Sequence, residues 1–69
     1  MWYNVIGYDS EGFTFVERMD VSRNKKEAIK YAKSILTDEE YIGSELCEVQ
    51  VQDCDTGGVE WDGYVEDYR

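Results

Sequence analysis

VSRNKKEAIKYAKSIL, Val21 to Leu36, is the stretch whose reading decides the fold. Ala28, Ile29, Ala32, Ile35 and Leu36 recur at helical spacing and make one apolar stripe. Two of them are alanines, so the helix can lie close to what it covers. Arg23, Lys26, Lys30 and Lys33 fall on the other side as a basic stripe, which any solvated helix face can carry. Ser22 is the expected N-cap, its hydroxyl accepting from a backbone N–H of the first turn. Lys25 stands where a capping box would need Glu or Gln. The acids Asp38, Glu39 and Glu40 oppose the helix dipole and favour an end nearby, with Gly43 available to close the turn.

Everything outside this stretch reads as strand, turn or tail. Trp2 to Tyr8 and Phe13 to Met19 are aromatic and β-branched, and the Asp9–Gly12 turn joins them as a hairpin. After the helix and an acidic connection, Glu45–Gln52 and Val59–Tyr64 form a second hairpin about the turn Asp53–Gly58. The expected fold is α+β: a four-stranded antiparallel sheet with one helix on one face, in the order β-β-α-β-β. It is one domain, residues 1–69, with 65–69 expected to be a frayed acidic tail. At this size a core alone rarely supplies more than about 3–5 kcal/mol.

Strand alternation assigns the faces. Cys47, Val49 and Val51 should meet the helix, as should Val59 and Trp61. In the first hairpin a four-residue loop would pair Tyr8 with Phe13, Val5 with Val16 and Ile6 with Phe15. One helix covers one face, so Trp2, Ile6, Tyr8, Phe13 and Phe15 are expected on the open face. Trp2, Tyr8, Phe13 and Phe15 are then candidate interface aromatics for a partner or a homodimer. A register error of one residue would reverse the assignment.

The charge is unevenly spread. Residues 1–17 carry net −3, residues 18–33 net +4 and residues 34–69 net −10, within a total of −9. Nucleic acid would be repelled by the molecule as a whole, and basic protein surfaces attracted. Glu60 and Asp62 lie two apart on one strand, hence about 6.8 Å apart on one face. Glu48 is expected beside them, Glu45 at the strand's approach, and Glu66 and Asp67 in the tail. These six carboxylates are the candidate partner-binding face. Like charges on neighbouring strands destabilise a sheet, and a row of carboxylates can stand in for phosphates on a surface built for nucleic acid. Solubility explains an acidic surface equally well.

Catalytic chemistry finds no constellation. The chain has no His, so a Ser or Cys nucleophile lacks its usual base. Cys47 and Cys54 alone do not make a zinc site. They stand about 23 Å apart on an extended strand, too far for a disulfide, and are read as reduced thiols. Asp53-x-Asp55-x-Gly57-Gly58-x-Glu60 has part of a calcium-loop pattern, but Tyr64 occupies the twelfth position and the flanks are strands, so it is read as a hairpin turn. No metal, cofactor or enzyme activity is expected. No apolar run nears a membrane span and the N-terminus has no secretory pattern. The expectation is a cytoplasmic chain, complete from its own Met1.

Tyr3-x-Val5-x-Gly7-Tyr8-Asp9, Ser22, Glu27-Ala28-Ile29-x-x-Ala32-Lys33, the Asp-x-Asp-x-Gly turn and a final strand with Trp61 together give a layout that resembles the short ββαββ proteins encoded by phages and plasmids, a set that includes some anti-CRISPR proteins. The resemblance implies the fold and a mobile-element origin, with residence in the host cytoplasm, and suggests an inhibitor. The shared motifs are packing motifs, so no functional residue follows from them. The expected partner is a protein with a basic surface, such as a nucleic-acid-binding complex.

Overall fold

The computed structural model describes all residues, 1–69. The chain runs β1 (Tyr3–Asp9), β2 (Thr14–Ser22), α1 (Lys25–Leu36), a 3₁₀ turn (Glu39–Tyr41), β3 (Leu46–Asp53), β4 (Val59–Tyr64) and a second 3₁₀ turn (Val65–Asp67). The strands form one antiparallel sheet in the order β2-β1-β3-β4, with α1 across one face. This is the expected α+β fold.

Helix α1 starts later than Ser22. The cap is Asn24, whose Oδ1 accepts from the N–H of Lys26 at 2.9 Å and of Glu27 at 3.3 Å. Ser22 instead accepts the Asn24 N–H and sets the approach to the cap. Val21 and Ser22 belong to β2, which runs on past Met19 across an irregularity where Asp20 takes a left-handed backbone conformation, φ 51°. Asp is among the few non-glycine residues that adopt it readily. Its N–H donates to Oδ1 of the buried Asn4 at 2.8 Å, so a side chain replaces the ladder bond that this irregularity interrupts. At the far end Thr37 caps α1, and Gly43 serves a later turn.

The core is the helix stripe against the sheet: Ala28, Ala32, Ile35 and Leu36 on Val5, Val16, Leu46, Val49 and Val51. Trp61, Val21, Tyr41, Val65 and Tyr68 pack around it. The C-terminal segment is therefore not a frayed tail. Val65 and Tyr68 pack on the core, and the Arg69 guanidinium donates to the carbonyls of Leu36 at 2.9 Å and Asp38 at 3.0 Å. A cation thus satisfies the Leu36 carbonyl at the helix end and adds a second donor to the Asp38 carbonyl, which also accepts the Tyr41 N–H at 3.1 Å.

Irregularities correct the expected faces. Val5 lies opposite Arg18, Ile6 opposite Glu17, Gly7 opposite Val16 and Tyr8 opposite Thr14. The pairings Tyr8–Phe13, Val5–Val16 and Ile6–Phe15 do not form. Phe15 is the extra residue between Thr14 and Val16, and it meets Tyr41 edge-on at 6.3 Å. Glu60 is likewise the extra residue between Val59 and Trp61. Val59 consequently lies opposite Gln52 and is exposed, rather than facing α1 with Trp61. One added residue reverses the alternation on either side of it. Cys47 and Cys54 are free thiols at opposite ends of β3.

A candidate docking site at the acidic end of the sheet

The start of β3, the end of β4 and the 3₁₀ turn after it converge on one region. Glu48 lies opposite Tyr64, and Asp62 opposite Gln50, on the sheet face away from α1. Between Tyr8 and Asp9 the ladder with β3 slips, because Glu48 pairs with Tyr8 but Leu46 with Asp9. Cys47 is the residue left over, half-buried instead of packed under the helix. Beside the slip lies an open cavity of about 570 Å³, lined by Ser10, Ser44, Glu45, Leu46, Cys47, Tyr64, Val65 and Glu66.

The phenol of Tyr64 reports the field there. It is exposed, and it is held above its ordinary value near 10, first by the carboxylate of Glu48, then by partial desolvation, and then by Asp62, Cys47 and Asp67. Each neighbouring anion opposes the appearance of another negative charge.

Five of the six candidate acids thus group at this end. Glu45 and Glu66 line the cavity; Glu48, Asp62 and Asp67 act on Tyr64. Glu60 does not join them. As the extra residue of β4 it pairs with Lys25 at the start of α1, Nζ to Oε1 3.7 Å. Both side chains are largely solvated, so the pair contributes at most about 1 kcal/mol. The sequence reading missed Tyr64, Leu46, Cys47 and Val65 as parts of this region. Val65, an apolar residue directly before Glu66 and Asp67, was the available signal that the tail docks.

The candidate aromatics differ in exposure: Trp2, Phe13 and Phe15 are exposed and Tyr8 is not. Ile6 is buried. Tyr8 is half-buried, and its hydroxyl accepts from Gln52 Nε2 at 2.8 Å. Trp2 has the Arg23 guanidinium 5.0 Å from its ring centroid, and Phe15 meets Tyr41 edge-on while staying exposed. Phe13, 67% exposed, stands in the β1–β2 turn. The open face is instead a polar row in which Gln52 donates to Gln50, and Gln50 to Glu48, at 2.9 and 3.3 Å.

Lys25 pairs with Glu60, and the other three lysines stand together on α1. Lys26, Lys30 and Lys33 flank Ile29 in a shallow groove on α1. The carboxylate of Asp53 is taken up within its own turn, accepting the N–H of Asp55 at 2.8 Å and of Thr56 at 3.4 Å. No helix is long and apolar enough to cross a membrane.

The fold and site define a small α+β protein with one helix on a four-stranded sheet and an acid-rimmed cavity at the sheet's end. No protein family, curated protein or solved structure matches the chain.

Proposed function

We propose that this chain is a non-enzymatic binding protein that docks on a basic protein surface through the acidic end of its sheet. In this reading it inhibits a nucleic-acid-handling protein by presenting carboxylates where that protein expects phosphates. The observation that carries the reading is the grouping of Glu48, Asp62 and Asp67 around an exposed phenol whose ionisation they oppose. A sheet edge that gathers like charges gives up stability to do so. Docking explains why five carboxylates gather at this end while the lysines stay on the helix. The resemblance to phage and plasmid ββαββ proteins points the same way, toward a mobile-element inhibitor acting in a host cytoplasm.

The test is capture from lysate of the source cells with the purified chain as bait, washed at rising salt, beside the variant E48K/D62K/D67K. A basic nucleic-acid-binding protein retained by the native chain, released by salt and displaced by DNA is the expected result. Equal retention by the charge-reversed variant would overturn it.

A second reading has its own observation. β2 is an outer strand; Met19 is 56% exposed along it, and Phe13, in the turn just before it, is 67% exposed. Uncovered strand edges with apolar side chains invite pairing, and a homodimer joined there would leave acidity to serve solubility. Sedimentation as a monomer at high protein concentration would rule this out.

A further inference from the structure

The cavity beside Tyr64 has walls of three chemical kinds. Its floor is apolar, from Leu46 and Val65 with the Cys47 side chain. Glu45 and Glu66 supply carboxylates, and both are exposed. The Tyr64 ring supplies an aromatic wall and Ser10 a hydroxyl; the Ser44 hydroxyl is engaged, donating to the Tyr41 carbonyl at 2.6 Å and accepting the Leu46 N–H at 3.3 Å. A purely acidic surface patch would need no apolar floor, and a site for an apolar ligand would not be rimmed by carboxylates. The combination suits an occupant with an aliphatic stem and a cationic head.

We infer that this cavity receives an arginine side chain of the basic partner, its methylene stem on Leu46 and Val65 and its guanidinium between Glu45, Glu66 and the ring of Tyr64. The inference rests on the docking reading above and names the contact at its centre. Arginine suits it better than lysine for physical reasons. The guanidinium is planar, presents several N–H donors in fixed directions to more than one carboxylate, and stacks on an aromatic ring. Lysine brings a compact, strongly hydrated charge that gains less from the ring. The cavity is wide open to solvent, so the backbone on either side of the arginine can lie across its mouth, near the Ser10 hydroxyl. Glu48, Asp62 and Asp67, which hold the Tyr64 phenol protonated, stand outside the cavity lining and add negative field at its Tyr64 side. An arginine so held is the kind of buried anchor that dominates protein interfaces, whereas rim charges mainly steer.

The experiment is an NMR titration of the whole chain with N-acetyl-arginine amide, and separately with N-acetyl-lysine amide, following the methyl groups of Leu46 and Val65 and the ring of Tyr64. Saturable shifts at these groups with the arginine compound, weaker with lysine, are expected. The variant E45Q/E66Q, altered only at exposed positions, should weaken arginine binding by at least about tenfold, as loss of charged hydrogen-bond partners does. The variant E39Q/E40Q removes the same charge outside the cavity and should bind as the native chain does. Absence of shifts at Leu46 and Val65, or equal weakening by the two variants, would overturn the inference. A nona-arginine peptide separates the two proposals. Salt-sensitive binding of that peptide without movement of Leu46 or Val65 would refute the cavity contact and leave the docking reading standing. No binding of the peptide at all would refute both.

Discussion

The two faces of the sheet solve the same problem in different ways. On the helix side Val5, Val49 and Val51 are fully buried beneath Ala32 and Leu36, which are fully buried too. On the other side nothing is layered over the sheet, yet Ile6 is only 6% exposed and stands outside the core cluster. Its cover comes from within the sheet. Tyr8 lies opposite Glu48, but its hydroxyl reaches Gln52, so the ring spans the row at Ile6 and Gln50. A single apolar side chain can be shielded by the stems and rings of polar neighbours, whereas a continuous apolar face requires another element. Only one face was built to need a helix.

The sharpest way to break this contrast is to truncate the helix side. Leu36→Ala removes a fully buried side chain from beneath α1 and should cost about 2–5 kcal/mol. In a chain of this size that is most of the available stability. A large fall in the urea midpoint is expected, or outright unfolding by circular dichroism. Ile6→Ala on the open side should cost clearly less, roughly 1–2 kcal/mol, because the space it leaves opens to water instead of forming an enclosed void. Equal losses would mean that the open face is as tightly packed as the core.

The next effect concerns how closely the C-terminal segment approaches the sheet. A Cβ placed on Gly63 would come within 2.7 Å of Trp61, 2.9 Å of Leu36 and 3.2 Å of Tyr68. Gly63→Ala therefore overfills the junction of β4, α1 and the C-terminal segment and should cost about 1–3 kcal/mol. It should also loosen Arg69 from the carbonyls of Leu36 and Asp38, seen as faster amide exchange at the end of α1. Normal protection there would show that the segment is held independently of Gly63. Smaller again is Asn24→Ala, which strips the cap from Lys26 and Glu27 and should cost about 1 kcal/mol in thermal or urea unfolding. Ser22→Ala should cost less, since Ser22 bonds only the approach to the cap.

These same positions show how far the sequence could be read. The helix stripe was legible because period 3.6 over Ala28–Leu36 has one interpretation, and the strand order followed from short turns between β-branched runs. Faces were legible only where the ladder is regular. Val49 and Val51 face α1 as alternation requires, whereas Phe15, Cys47 and Glu60 are the extra residues at slips in pairing. Nothing in the composition of a strand marks which residue the ladder will skip; that depends on both partners and on the twist between them. The acidic group was legible as an excess of charge, and Glu60 left it because a slip turned its side chain toward Lys25. The role of Val65, Tyr68 and Arg69 was hidden because short acidic termini usually fray, and docking depends on Gly63 leaving room several residues earlier.

The smallest effect is also the most specific to the acidic end. Near neutral pH, Tyr64→Phe should leave stability almost unchanged, because an exposed neutral phenol is replaced by a ring of the same shape. At alkaline pH the two chains should diverge. Ionisation of Tyr64 adds a negative charge beside Glu48, Asp62 and Asp67, and the folded chain therefore keeps that proton to higher pH than the unfolded chain does. Where the folded state binds more protons than the unfolded state, stability falls as pH rises. The contribution of Tyr64 is complete below its ordinary value of about 10 and is lost as pH climbs through its raised folded value. The urea midpoint of the native chain should thus decline more steeply above that point than the midpoint of Tyr64→Phe. Salt should narrow the gap, since these charges are exposed and screened. A phenolate absorbance titration supplies the direct reading: subtracting the variant's curve should leave one tyrosine titrating above the normal range, moving back toward it as salt rises. A difference curve at the ordinary value, indifferent to salt, would mean that the carboxylates at the end of the sheet do not act together on the phenol, and the contrast between a charged end and a neutral face would lose its electrostatic basis.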